Sequence, residues 1–431
     1  MERSQASSGE AERVSPTRIN TLVIGAGQAG LVTSYWLTQH GVEHLLLERR
    51  DRLGGAWQDR WDSFFLNTPN FFCRLPGLTY DGPEPDVFIS RDAVVDLFRA
   101  YAERIAAPVR LGTEATRISR ADGTFTVETS GGPLTAKNVV LANGAFQRPR
   151  IPPASSAIPA HMQQLHSHDY RNARQLPDGA VLVVGTGQSG GQITEDLLAA
   201  GREVHLAVST CPEAPRRYRG QDVLHWILQM NLNGPQYGIH GLKVENLPSP
   251  AGRFLCNPLI SGNDGGHSIH IRDLGRRGVR LHGRFEGADD GGLTFSDDLP
   301  ERLALVEAGF SQRLRLADAY IEAAGIDAPA ADPVPDDPWL PPESGVRLDL
   351  DAENITSVIW ATGYTMDFSF LDVDMPVLDQ WNYPRHSGGV TDVPGLYAVG
   401  LPWLTRHASA TLGLVGDDAQ YVADHLAARG A

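Results

Sequence analysis

Thr21-Leu22-Val23-Ile24-Gly25-Ala26-Gly27-Gln28-Ala29-Gly30 decides how this chain is read. An apolar run suited to a buried strand turns sharply through glycines into an amphipathic helix. Gly25 permits the tight turn, Gly27 lets a pyrophosphate approach the backbone, and Gly30 lets the helix pack closely on its strand. The free N–H groups where the helix opens, at Gln28 and Ala29, suit phosphate oxygens. The next strand, His44-Leu45-Leu46-Leu47-Glu48, ends in a carboxylate about 20 residues after the glycines, where it can accept hydrogen bonds from a ribose. A single glycine pattern is a weak signal, because glycines also close ordinary turns. Here it repeats. Ala180-Val181-Leu182-Val183-Val184-Gly185-Thr186-Gly187-Gln188-Ser189-Gly190 has the same strand, glycine spacing and following helix. Two dinucleotide sites are therefore expected in one chain.

The two repeats differ where the second strand ends. Glu48 closes the first, whereas Glu203-Val204-His205-Leu206-Ala207-Val208 runs into Ser209-Thr210, with Arg216-Arg217 shortly after. A 2′-phosphate repels an acid and is matched by a hydroxyl and a guanidinium, so Ser209, Arg216 and Arg217 favour NADPH over NADH. A solvated basic loop is the alternative reading of the two arginines.

At 431 residues the chain has room for about two or three domains and ample core. Its net charge of −15 disfavours nucleic acid or anionic lipid as a main partner. Cys73, Cys211 and Cys256 lie far apart in sequence, with neither a Cys-x-x-Cys pair nor metal-ligand spacing, which fits a reduced, cytoplasmic protein. Residues 1–18 are polar, lack the apolar core of a signal peptide and read as a flexible tail. No stretch approaches the ~20 apolar residues of a membrane span. The expected fold is α/β with two Rossmann-like dinucleotide-binding domains, the NADPH domain inserted into the FAD domain. The first part of the FAD domain spans 19–155, the NADPH domain 156–342 with a substrate-lid insertion at 218–277, and the second part of the FAD domain 343–431.

Several local features complete the plan. Ser90 caps a helix running to Ile105, and Asp122-Gly123 closes a hairpin between Ala115–Ser119 and Thr124–Thr129. A second hairpin is expected through Gly278–Phe285 and Leu293–Phe295. Leu303, Val306, Phe310, Leu314, Ala317 and Ile321 mark one long amphipathic helix entered through Pro300. Buried strands end at Asn143-Gly144 and at Ala361-Thr362-Gly363. The helix from Gly413 to Ala427 closes the chain, its N-terminus expected to point at the flavin. Trp61, Phe64 and Phe65 read as core.

These pieces, in this order, resemble the class B flavoprotein monooxygenases, and within them the bacterial and plant flavin-containing branch. The likeness covers nearly the whole chain after residue 18. It rests on Gly25-x-Gly27-x-x-Gly30, Gly54-Gly55-Ala56-Trp57, Asn67-Thr68-Pro69, His166-x-x-x-Tyr170, Gly185-x-Gly187-x-x-Gly190 and Ala361-Thr362-Gly363-Tyr364. The resemblance implies a cycle in which NADPH reduces FAD, O₂ adds to the flavin as a C4a-(hydro)peroxide, and bound NADP⁺ shields it. It implies cofactor contacts from Gly55, Trp57, Thr68, Gly144, Ala361, Thr362 and Gly363. It also places Asn67 beside flavin and nicotinamide, as a catalytic candidate with Arg60 of the preceding loop. A turn-capping Asn before Thr-Pro is the alternative for Asn67. Two departures stand out: Ala160 and Met162 replace the Phe-x-Gly that opens the family's linker motif, and Asn143 replaces a usual threonine. Because that motif helps to separate the branches, the choice between heteroatom oxygenation and Baeyer–Villiger insertion is weakened.

His161, His166 and His168 lack the spacing and the acid or thiolate of a metal site, so no metal is expected. Asp222, His225 and Trp226 are either substrate-lining residues or a surface loop. The expected activity is NADPH- and O₂-dependent oxygenation of a small organic molecule, N- or S-oxygenation ahead of ketone insertion. The competing readings are a reductase passing electrons to a quinone or disulfide, and a non-catalytic nucleotide-binding regulator. No motif encodes assembly, and a homodimer is carried as an expectation.

Overall fold

A computed structural model describes residues 17–289, 292–333, 337–341 and 345–430. Most of the expected tail, and the expected boundary at 342–343, lie outside the described residues. The chain is a mixed α/β fold built on two parallel sheets. In the first, β1 (Thr17–Ile24) leads into α1 (Gln28–Gln39) and pairs with β2 (His44–Leu47) on one side and β3 (Leu134–Leu141) on the other. Val109–Arg110 extends the sheet beyond β2, and Leu396–Ala398 pairs parallel with β3. In the second, β4 (Ala180–Val184) leads into α2 (Gln188–Ala199) and lies between β5 (Val204–Ala207) and β6 (Ile355–Trp360). Gln163–His166 and Arg280–His282 complete the parallel order at its two edges.

The second sheet repeats the first almost atom for atom around its glycine turn. Gly25 N–H donates to Leu47 O (2.8 Å) and Ala142 N–H to Ile24 O (2.9 Å), while Gly185 N–H donates to Ala207 O (3.0 Å) and Ala361 N–H to Val184 O (2.9 Å). A Cβ on Gly25 would stand 2.7 Å from Ala142 O, and one on Gly185 2.7 Å from Ala361 O. Both residues also have positive φ, +105° and +102°, so no other residue fits without strain. A Cβ on Gly30 or Gly190 would meet the carbonyl of Gly25 or Gly185 at 1.9 Å, which is how each helix comes to lie directly on its strand. Leu31, Val32 and Leu37 of α1 are then fully buried against Val415, Ala419, Val422 and Leu426 of the C-terminal helix Val415–Ala428. Each such side chain contributes about 1.5–3 kcal/mol.

The helix Arg91–Arg104 starts at Ser90, whose Oγ accepts from Ala93 N–H, and the 115–121 and 124–129 strands turn through Asp122 (φ 49°) and Gly123 (φ 79°). Phe285–Asp289 and Gly292–Phe295 form the second hairpin. Four expectations change. Arg280–His282, expected in the first arm of that hairpin, is a parallel edge strand of the second sheet. Ile355–Trp360 belongs to the second sheet, so the chain returns to the first only after Gly363 and not at 343. The long amphipathic helix is two, Leu299–Ala308 and Ser311–Ala323, broken at Gly309, which packs where a Cβ would lie 2.8 Å from Pro212. Trp61 and Phe64 are buried, but Phe65 is 38% exposed. Among the described residues no helix is long and apolar enough to cross a membrane.

Candidate active site

The two fingerprints reach the surface as bare helix ends. Neither α1 nor α2 has a side-chain cap hydrogen bond, so the backbone N–H groups at Gln28, Ala29, Gln188 and Ser189 are left for another acceptor. The middle glycines say what that acceptor does. Gly27 (φ −76°) and Gly187 (φ −66°) have conformations open to any residue. A Cβ on Gly187 would meet nothing within 4 Å, and one on Gly27 only an ordinary contact with Gly55 at 3.9 Å. Packing within the chain explains the first and third glycines of each set; at the middle ones it leaves open space over a bare backbone, a geometry that fits a dinucleotide pyrophosphate at both ends.

Loops close over each turn. A Cβ on Gly55 would lie 3.2 Å from Gly27 Cα, and Trp57 Nε1 donates to Gln28 Oε1 (3.4 Å), so the Gly54–Trp57 loop covers the first turn. Gln28 also donates to Ala410 O, and Gln188 Nε2 donates to Pro258 O (3.1 Å). Glu48, 5% exposed, accepts from Ala26 N–H (3.0 Å) and from Arg50 N–H (3.1 Å). Ser209 takes the equivalent place in the second sheet: its Oγ accepts from Thr186 N–H (3.2 Å). One position thus carries a carboxylate in one unit and a hydroxyl in the other. Arg217 is exposed nearby. Arg216 departs from its expected role. It is 5% exposed, and its Nε donates to Asp222 (2.7 Å), so this guanidinium is turned inward and committed to a carboxylate where a phosphate was expected.

Arg216 leads instead to Asn67. Its Nη1 donates to Asn67 O (2.9 Å), while its guanidinium carbon sits 4.6 Å from the Phe88 ring centre. The Asn67 side chain is held by Gln192, four residues into the buried face of α2. Gln192 Nε2 donates to Ile260 O (2.9 Å) and to Asn67 Oδ1 (2.7 Å). Because a backbone carbonyl only accepts, the atom facing it must be the amide nitrogen; both Gln192 hydrogens are then spoken for, and Asn67 must present oxygen to Gln192. The Asn67 Nδ2 donors are left facing away from the clamp. Gly262 fits the same turn, since a Cβ there would lie 2.1 Å from Leu66 O. Gln192 and Phe88 escape a motif reading; the one sequence signal for Gln192 is an amide on the helix face that should be apolar.

Arg60, expected beside Asn67, belongs to a different cluster. Its guanidinium carbon lies 5.9 Å from the Trp57 ring and 5.1 Å from the Phe146 ring, and its charge opposes the burial that raises the Tyr364 phenol. Gly144 (φ +73°) accepts from Gln147 Nε2, and Thr362 O accepts from Arg150 Nε (2.9 Å). Beside them His166 Nε2 meets Gly363 O (2.9 Å), and His166 Nδ1 accepts from His168 N–H (3.0 Å). The carbonyl only accepts and the amide only donates, so the ring is neutral with its proton on Nε2. Among the described residues no group of His, Cys, Asp and Glu could hold a metal ion.

Burial pushes His166 down to about 4, and it does the same to His282 and His386, while His205 and His407 fall to about 3. A folded value below the unfolded 6.5 means that the unfolded chain binds more protons between those limits, so stability is full above pH 6.5 and drains as pH falls. Each such histidine contributes a slope of about 1.4 kcal/mol per pH unit in that window. The hydrogen bonds of His267 with Glu195 and of His270 with Glu213 raise those two and offset part of the loss. Urea unfolding is expected to show a lower midpoint near pH 5 than near pH 7.5; a midpoint equal or higher at the acid end contradicts the buried neutral rings.

Residues 22–234 match the profile of the family described as pyridine nucleotide-disulphide oxidoreductase. The CzcO-like oxidoreductase of Geobacillus kaustophilus is 30% identical over 412 residues, spanning 95% of this chain and 98% of that protein. The indole-3-pyruvate monooxygenase YUCCA1 of Oryza sativa is 32% identical over 204 residues, 46% of this chain and 50% of the relative. Among solved structures, the flavin-containing monooxygenase from Stenotrophomonas maltophilia superposes with a TM-score of 0.62 at 19% identity, covering 96% of this chain and 100% of that one.

Proposed function

The chain belongs to the CzcO-like oxidoreductases, and from that premise we propose that it is an NADPH- and O₂-dependent flavoprotein monooxygenase of a small organic molecule. FAD is assigned to the first fingerprint and NADPH to the second, in two Rossmann-like units of which the second is inserted into the first. The observation that carries this is the pair of middle glycines, Gly27 and Gly187, where nothing in the chain crowds out a side chain and the bare backbone leaves room for a pyrophosphate. Bound flavin would supply the hydride acceptor and the oxygen-activating centre. The chain's own groups bind and orient. The α1 and α2 N-termini hold the pyrophosphates, Glu48 stands by the flavin-side ribose, and Ser209 and Arg217 receive the 2′-phosphate. The clamped Asn67 offers N–H donors to the reacting region, a preorganised polar contact. N- or S-oxygenation is preferred to ketone insertion.

Supplying NADPH and O₂ with thioethers, tertiary amines and cyclic ketones tests this preference. Sulfoxide or N-oxide should form faster than ester, and an ester as the main product would move the reading to Baeyer–Villiger chemistry. The cofactor assignment has its own check. Ser209→Glu recreates in the second unit the acid of the first, and should shift the NADPH to NADH ratio of kcat/KM towards NADH by about ten- to a hundredfold, the effect of placing a carboxylate against a phosphate. An unchanged ratio places the 2′-phosphate elsewhere. The alternative of a pyridine-nucleotide:acceptor reductase draws on the matching family's description.

A further inference from the structure

Cys211 and Cys256 are remote in sequence, yet the fold lays their segments side by side. Leu259 N–H donates to Pro212 O (2.8 Å), and Glu213 and Leu259 form a parallel bridge. Cys211 Sγ donates to Asn257 O (3.1 Å), the carbonyl of the residue next to Cys256. The pair is asymmetric. Cys211 is 1% exposed, whereas Cys256 is exposed. The mutual influence of the two sulfur groups, with the Arg313 guanidinium adding to it, lowers the Cys256 thiol, and the same influence together with burial raises Cys211. An accessible thiol that ionises more readily, on a segment laid beside that of a buried one, is the arrangement of an attacking and a resolving cysteine.

Both cysteines are tied to the second fingerprint. Cys211 lies two residues after Ser209, whose Oγ holds Thr186 N–H; Pro258 lies two residues after Cys256, and its carbonyl holds Gln188 Nε2 at the start of α2. Drawing the two sulfurs together therefore pulls on both contacts of the turn.

We propose that Cys211 and Cys256 form a reversible redox pair, oxidised by hydroperoxides, whose disulfide retunes the dinucleotide site at Gln188 and Ser209. The Cys256 thiolate attacks the peroxide oxygen, which splits the O–O bond, gives a sulfenic acid and releases water. Cys211 then attacks that sulfur and expels its oxygen as a second water, so two thiols and one H₂O₂ become one disulfide and two waters. A small-molecule thiol reverses the bond by exchange. The effect on affinity rests on the NADPH assignment above; the formation of the disulfide does not.

The test uses the full-length, FAD-loaded protein treated with equimolar H₂O₂, alkylated, digested and read by mass spectrometry, with NADP⁺ titrated calorimetrically into oxidised and reduced samples. A Cys211–Cys256 peptide that dithiothreitol removes and that Cys256→Ser lacks is expected, with Cys73, buried and raised to about 11, left reduced. The NADP⁺ dissociation constants should differ by about fivefold or more between the two states. Absence of the linked peptide overturns the pair. A linked peptide with equal NADP⁺ affinities overturns its coupling to the site. A linked peptide with no NADP⁺ binding in either state upholds the pair and overturns the NADPH assignment.

Discussion

Gln192→Glu is expected to raise substrate-free NADPH oxidation, with H₂O₂ as its product, by about ten- to a hundredfold, the scale of one misplaced hydrogen bond in a desolvated site. Gln192 donates both amide hydrogens, to Ile260 O and to Asn67 Oδ1, and this fixes which end of the Asn67 carboxamide faces away from the clamp, towards the region proposed for flavin and nicotinamide. A glutamate at the same position can only accept. It would draw Asn67 Nδ2 to itself and turn Oδ1 towards the cofactors, exchanging a donor for an acceptor where reduced oxygen must be held. Gln192→Met removes the clamp without inverting it, so its effect should fall between parent and Gln192→Glu. NADPH KM should move little in either variant, because the 2′-phosphate residues are untouched. If both variants release peroxide at the parental rate, Asn67 does not act through its orientation.

Asp222→Asn is the second large effect, with an expected loss of about 3–5 kcal/mol, the cost of leaving a buried charge without its partner. The side chains of Arg216 and Asp222 are both buried, 6% and 5% exposed. Burial is the largest influence on both, pushing Asp222 up and Arg216 down, so the desolvation cost weighs heavily on the pair. Asparagine retains the N-cap function of Asp222, whose Oδ1 accepts from Leu224 N–H (2.8 Å) at the helix Val223–Leu232, so the substitution isolates the charge. The strain should reach Asn67 through Arg216 Nη1. Urea unfolding reads the loss, and adding Arg216→Met to Asp222→Asn should recover part of it by removing the orphaned cation. A stability within about 1 kcal/mol of the parent would mean that water reaches the guanidinium.

What was legible in the sequence is what is local. Each fingerprint is a strand, a turn and a helix in direct succession, so glycine spacing alone carries its geometry, and the contrast of Glu48 with Ser209 survives because both sit at the end of the strand after their helix. The remainder needed tertiary placement. Arg216 and Arg217 are neighbours in sequence, yet one turns inward to Asp222 and the other out to solvent, and composition does not distinguish them. The return to the first sheet was misplaced because the apolar runs 355–360 and 139–141 look alike; which sheet a strand joins depends on partners far away. Gln192 and Asn67, like Cys211 and Cys256, are remote in sequence, so only tertiary placement brings each pair of segments together.

Isotope tracing under ¹⁸O₂ tests the central claim most directly. The purified, FAD-loaded protein receives NADPH and a thioether or tertiary amine, and the organic product, H₂O₂ and NADPH consumed are all measured. Monooxygenation predicts one ¹⁸O atom in the sulfoxide or N-oxide for each NADPH oxidised. Recovery of all the label as H₂O₂ across the substrate panel, with NADPH electrons passing to an added quinone or disulfide, would contradict it and assign the chain to the acceptor reductases.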